Sequence, residues 1–137
     1  MDTMTKAERS KRMSRVRSKD SKPEMLVRSL VHRMGFRYRL HDRALPGSPD
    51  MVFPRLGKII FVHGCFWHRH KERCEFTRWP KSRLDFWKPK LDQNHKRDKV
   101  VTRELRKLGW RVLIVWECQL KSREAAGAKL RLFLEAQ

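Results

Sequence analysis

The chain has 137 residues, enough for one domain with one core and too few for two ordinary ones. Thirty-four Lys and Arg against fifteen Asp and Glu leave a net charge of +19, a field that draws polyanions such as nucleic acid or an anionic membrane surface. No apolar run reaches the roughly 18 residues that span a bilayer, and no charged segment leads into an apolar signal-type run, so a cytoplasmic, nucleoid-associated chain is expected.

Residues 1–20, MDTMTKAERSKRMSRVRSKD, carry seven Lys or Arg and three acids with little apolar periodicity. They read as a basic arm that orders on DNA, ahead of a single domain over residues 21–137. In SKPE, Ser21 stands as an N-cap with Glu24 at the capping-box position. Leu26, Val27, Leu30, Val31 and Met34 then recur at helical spacing up to Gly35. FRYRL alternates as a half-buried strand, HDRALPGSPD is a loop rich in turn residues, MVF is a second short strand and PRLG a turn. KIIFV and WRVLIVW are almost continuously apolar and β-branched, which predicts neighbouring strands buried on both faces at the centre of a sheet. Between them, residues 82–108 keep Leu91, Val100, Val101, Leu105 and Leu108 near a helical period, with Pro89 beginning or kinking the helix and Gly109 as its C-cap. A last helix over 122–135 packs Leu130, Phe133 and Leu134. The expected fold class is α/β, a mixed central sheet flanked by helices.

The three cysteines are an odd number, and two of them lie nine positions apart with histidines between. In a reducing compartment that favours metal over disulfide. Cys65, His70 and Cys74 have four and three residues between them, and Cys118 follows VLIVWE directly. Three thiolates and one imidazole suit a closed, tetrahedral structural zinc, although His63, His68 and His70 could each supply the imidazole. The bland reading makes Cys118 a buried core cysteine. A closed site would hold CFWHRH rigid and could present Phe66 and Trp67 outward; aromatics more often fill a core, and burial beside the metal is the favoured reading of that stretch alone.

Asp50, at the loop-to-strand junction in GSPDMVF, stands where a carboxylate could hold Mg2+ against a phosphodiester, although an Asp in a loop is usually a turn-former. Glu24 could be only a capping residue and Asp98 only an i,i+4 partner on an exposed helix face. His68, if His70 is the metal ligand, is free for acid–base work near neutral pH.

Taken together, RSK and M in the arm, PE opening the first helix, LPGSPD, VHGCFWHRH with its following Cys, FW at 86 and 87, N and RD at 94–98, and GWRVLIVWEC resemble the very-short-patch repair (Vsr) endonucleases. That family carries a variant of the PD-(D/E)xK, restriction-endonuclease-like fold. The resemblance covers residues 9–120. It implies a Mg2+-dependent enzyme that nicks one strand of double-stranded DNA on the 5′ side of the thymine in a T:G mismatch left by deamination of 5-methylcytosine. Carried over by position, Asp50 would bind the metal together with the backbone carbonyl of Val62, where compared members have threonine. His68 would be the catalytic histidine, Glu24 and Asp98 supporting acids, and His63 a neighbour of the scissile phosphate. Cys65, His70, Cys74 and Cys118 would hold the zinc. Phe66, Trp67 and Trp87 would form the wedge inserted beside the mismatch, Met13 would enter from the opposite groove, and Asn94 would contact DNA. The resemblance further suggests a monomer that cooperates with mismatch-repair proteins. Competing readings are a zinc-stapled nucleic-acid-binding module without catalysis, which needs neither Asp50 nor His68, and a histidine–metal nuclease of other specificity.

Overall fold

The computed structural model describes residues 21–70, 74 and 77–137. The basic arm, with Met13, lies outside these residues. Helix α1 (Lys22–Arg33) begins where the Ser21 hydroxyl accepts from the Glu24 backbone N–H at 3.4 Å, with Pro23 in its first turn. Its apolar stripe buries Val27 and Val31 completely. Strands β1 (Arg39–Leu40), β2 (Met51–Phe53), β3 (Lys58–His63) and β4 (Arg111–Trp116) form one sheet in the order β1-β2-β3-β4. The first two pairings are antiparallel and β3 with β4 is parallel, so the sheet is mixed as expected.

Two strand expectations are corrected. FRYRL contributes only Arg39 and Leu40 to the sheet, both exposed. β4 does pair with β3, but it is the edge of the sheet and mostly half-buried, whereas β3 is central and buried at five of six positions. Its apolar run packs one face under α1's side of the sheet and the other under the long helix, without a strand beyond it among the described residues.

That long helix, here α3, spans Leu84–Lys107, after a one-turn helix α2 (Cys65–His68) that no periodicity predicts. α3 starts five residues before Pro89, which therefore lies inside it. Having no N–H, this proline leaves the Asp85 carbonyl without its helical donor. The helix stops in a paired turn: Gly109, at φ +99°, donates to Arg106 at 3.0 Å and Trp110 donates to Leu105 at 3.1 Å. A 3-10 turn, Glu117–Lys121, leads into α4 (Arg123–Glu135), capped by Ser122. No helix among the described residues is long and apolar enough to cross a membrane.

The sheet divides two cores. On one face Val27 and Val31 of α1 and Ala126, Leu130 and Leu134 of α4 pack on Met51, Phe53, Ile60 and Val115. On the other, Leu105 and Val101 of α3 pack on Val52, Ile59 and Phe61. Lys58 is buried at the start of β3, and its ammonium donates to the carbonyls of Phe133 (2.7 Å), Leu134 (3.1 Å) and Ala136. A cation on the last-turn carbonyls satisfies acceptors that the helix leaves open and complements its negative end.

The LPGSPD loop lies against α3 through Gly47. This residue sits at φ +76°, and a Cβ there would stand 2.5 Å from Val101 Cγ1. Backbone conformation and space both require glycine. Gly47→Ala should lower stability by about 1–3 kcal/mol, measured by denaturant unfolding, because the loop or Val101 must move.

Candidate active site

β2 and β1 pair with Leu40 opposite Met51, which brings His41 across from Asp50, and the His41 N–H donates to the Asp50 carbonyl at 3.3 Å. The Asp50 carboxylate turns to the central strand, where Oδ2 accepts from the Val62 backbone N–H at 2.7 Å. Glu24 approaches from α1. It is 3% exposed, and instead of serving only the helix end its carboxylate is held by the Arg28 guanidinium and lies 3.0 and 3.1 Å from His41 Nε2. Glu24, His41 and Asp50 thus offer three donor atoms within 4.8 Å of one another. Burial, and then the neighbouring Glu24 carboxylate, push the Asp50 carboxyl up to about 8, with the Val62 N–H opposing. Two carboxylates in so confined a place share a proton unless a cation replaces it. Hard oxygen donors of this kind fit a divalent ion such as Mg2+.

One residue beyond Val62, His63 is buried, and its ring stacks on that of His68 at 3.9 Å with 8° between the planes. Burial, reinforced by His68, pulls the His63 pKa down to about 2, so the ring is neutral. Its Nδ1 is buried with no hydrogen-bond partner among the described residues. His68 comes from α2 and meets Asp98 of α3, Nδ1 to Oδ2, at 2.5 Å. A carboxylate only accepts, so His68 Nδ1 carries the hydrogen and Nε2 is left to take a proton.

A third group lies behind this pair. The donor atoms of Cys65, His70, Cys74 and Cys118 all lie within 4.8 Å of one another. His70 Nδ1 is 3.3 Å from Cys118 Sγ and 3.7 Å from Cys65 Sγ, close to the edges of about 3.5–3.8 Å of a tetrahedron with metal–ligand bonds of 2.0–2.3 Å. No disulfide joins them. Burial drives the Cys65 thiol up to about 12 and Cys118 upward as well, the reverse of what a bound dication would do. Of the three imidazoles open to the sequence reading, His70 is the one placed among the thiols.

The aromatics flank α2. Phe66, Trp67 and Trp87 touch pairwise, edge to face, at 5.0–6.0 Å. Trp67 is buried, as the bland reading of its stretch had it, while Phe66 and Trp87 are half-exposed. Phe86 and Trp79 extend the group and are exposed, with Arg83 and Lys90 over Phe86, and Arg69 3.9 Å above the Trp79 ring. Asn94 reaches the Trp67 carbonyl at 3.5 Å. On the other side of His63 and His68 opens a cleft of about 690 Å3, lined by Asp98, Ile114 and Trp116 and edged by cations of α3, among them Lys99, Arg103 and Arg106.

Glu24 of α1, Asp50 before β2, His63 of β3, His68 of α2 and Asp98 of α3 are therefore gathered around the C-terminal ends of β3 and β4, the edge of an α/β sheet where crevices form. Sequence reasoning passed over Arg28 and His41. Arg28 stands four residues after Glu24 and was legible as a helical ion pair. His41 was not, since only the β1–β2 register makes it Asp50's neighbour.

The family model described as DNA mismatch endonuclease Vsr matches residues 1–75. The chain is 47% identical over 134 residues to the type II nicking enzyme V.XorIIP of Xanthomonas oryzae pv. oryzae, an alignment covering 98% of this chain and 97% of that protein. It is 43% identical over 123 residues to the DNA mismatch endonuclease Vsr of Escherichia coli, covering 90% and 78%. With the type II nicking enzyme V.NmeAIP of Neisseria meningitidis the identity is 41% over 129 residues, covering 94% and 91%.

A carboxyl raised from 3.8 to about 8 by folding favours the folded state fully below pH 3.8, and this contribution is lost as pH rises towards 8. With divalent ions chelated, Asp50→Asn should therefore melt above the wild type at pH 8, and the difference should shrink as pH falls to 5. A gap independent of pH, by differential scanning fluorimetry, would remove the Asp50 carboxylate as its cause.

Proposed function

The chain belongs to the Vsr DNA mismatch endonuclease family, and we propose that it is a Mg2+-dependent endonuclease that nicks double-stranded DNA 5′ of the thymine in a T:G mismatch. That it is an endonuclease follows from the family. The observation that best supports hydrolysis at this site is the His68–Asp98 pair at the same end of the sheet as the buried Glu24 and half-buried Asp50 carboxylates.

In this reading Asp98 fixes the His68 ring and stabilises the imidazolium, while His68 Nε2 takes the proton of the attacking water. Asp50 and the Val62 carbonyl would hold Mg2+, with Glu24 placed to orient its waters; the ion supplies charge stabilisation at the phosphoryl oxygen. His63, neutral and with its Nδ1 unpartnered among the described residues, would lie against the scissile phosphate. Cys65, His70, Cys74 and Cys118 would bind a structural zinc, the metal that a closed set of three thiolates and an imidazole prefers. The zinc, if bound, would clamp both ends of the segment that carries His68 and the aromatics.

Phe66, Trp67 and Trp87, with Met13 of the arm, would pry open the base stack at the mismatch. A T:G wobble is poorly stacked, so opening it costs less than at a matched pair, and selectivity can follow from that difference. Asn94 would contact DNA beside them. We assign residues 1–20 to a DNA-ordered arm and 21–137 to one restriction-endonuclease-like domain. The chain would act as a cytoplasmic monomer, with mismatch-repair proteins as partners.

The test is nicking of a labelled duplex with one T:G pair, against matched T:A and C:G duplexes, with Mg2+ and with chelator. Cleavage confined to the 5′ side of the mismatched thymine and dependent on Mg2+ is expected; cleavage of all three duplexes alike would discard mismatch recognition. Asp50→Ala should lower the rate by about a thousandfold or more while duplex affinity persists. Asp98→Asn should lower it about a hundredfold, since an amide can hold the ring in the wrong tautomer. Cys118→Ser should release zinc and lower the melting temperature; unchanged zinc by elemental analysis would refute the ligand set.

A further inference from the structure

α2 is a single turn, and a helix that short satisfies almost none of its own carbonyls. The protein has to supply donors from elsewhere, because the turn carries His68. Gly64 and Cys65 receive the backbone N–H groups of His68 (3.1 Å) and His70 (3.2 Å). The Phe66 carbonyl receives Arg69 Nη1 at 3.4 Å and the Trp67 carbonyl receives Asn94 Nδ2 at 3.5 Å, both long contacts. The carbonyl of His68 itself is 3.1 Å from Nδ1 of His95, on α3. A carbonyl only accepts, so His95 Nδ1 carries the hydrogen and donates it.

His95 and Asp98 are three residues apart on α3 and therefore lie on one face of that helix. They hold His68 at two different points: Asp98 grips the imidazole through Nδ1, and His95 grips the peptide from which that imidazole hangs. Either hold alone leaves a pivot. With only the ring bond, the turn can rotate about Asp98; with only the peptide bond, χ1 and χ2 of His68 are free. Both together fix where Nε2 points. His95 also lines the cleft that His63 and His68 share, so it stands beside the reacting region without belonging to any of the three donor clusters.

We propose that His95 is a positioning residue for His68, acting through the Nδ1–H to carbonyl bond. The inference rests on the reading of His68 as the proton-accepting group. It assigns His95 no proton transfer of its own.

The geometry of the amide side chains makes the test specific. The Asn amide nitrogen overlays His Nδ1, whereas the Gln amide nitrogen overlays Nε2. His95→Asn should therefore retain the bond, and His95→Gln and His95→Leu should lose it. Two measurements are made on all four proteins. Single-turnover nicking of the T:G duplex should fall by about 10–100-fold in the Gln and Leu variants, a loss of the size that a misplacement near 1 Å produces, with duplex affinity within about twofold of wild type. The Asn variant should recover to within about threefold. Hydrogen exchange at the His68 and His70 amides should speed up about tenfold in the Gln and Leu variants and stay slow in the Asn variant, at unchanged melting temperature.

Equal rates in all four proteins would overturn the proposal. An Asn variant as slow as the Gln variant would overturn it too, by showing that the ring and not the Nδ1 bond matters. A melting temperature that falls in step with the rate would reduce His95 to a structural residue. If the wild type nicks no duplex, the proposed reaction fails, yet the exchange measurement still decides whether the clamp exists.

Discussion

The parallel pairing of β3 with β4 is the constraint on which the rest of the structure depends. Its register sets His63 opposite Trp116, and both strands deliver their next residues to the same end of the sheet. Cys65 follows one strand and Cys118 the other, and the Cys118 N–H lies 3.4 Å from Cys65 Sγ. A slip of one residue would turn His63 to the opposite face and separate the thiols. Parallel strands need a long crossover, and here the crossover includes α2, Cys74 and α3. The connection that makes the pairing feasible also carries His68, the aromatics and Asp98.

Electrostatics at this end of the sheet work against folding. Asp50 and Glu24 are brought together where partial burial and mutual proximity drive one carboxyl to retain its proton. His63 is buried in neutral form beside His68. Each arrangement is destabilising in isolation, and clustered shifts of this kind are what functional sites display. The surrounding cores are what make it tolerable. Fully buried Val27, Val31, Leu130 and Ile60 on one face, and Ile59 and Leu105 on the other, hold the sheet rigid on both sides of the strained end. A dispersed charge of +19 then favours an anionic ligand reaching the same end.

Legibility in the sequence followed the range of the interactions. The three longer helices were readable because 3.6-residue periodicity, Ser caps and glycine stops are local. The thiol cluster was readable because its ligand types are rare and three of them are close in the chain. Glu24 was read as a capping residue or a supporting acid, and its engagement by Arg28 and His41 depends on how α1 lies on β1. The one-turn helix α2 was not legible, since four residues carry no period. β4 was expected at the sheet centre because its apolar run matches that of β3; it is instead an edge half-covered by helices on both faces.

The sequence by itself determined the class of fold, the basic character, the thiol and imidazole residues of the Cys65 cluster and, through a dispersed set of motifs, the family, because composition, periodicity and motif identity are properties of the chain alone. Tertiary structure decided which imidazole joins the thiols, that Trp67 is buried while Phe66 and Trp87 reach the surface, and that His41 and His95 stand beside Asp50 and His68. Those facts depend on strand register and on the seating of α3, and register is fixed by contacts between residues far apart in the chain, which no local pattern encodes.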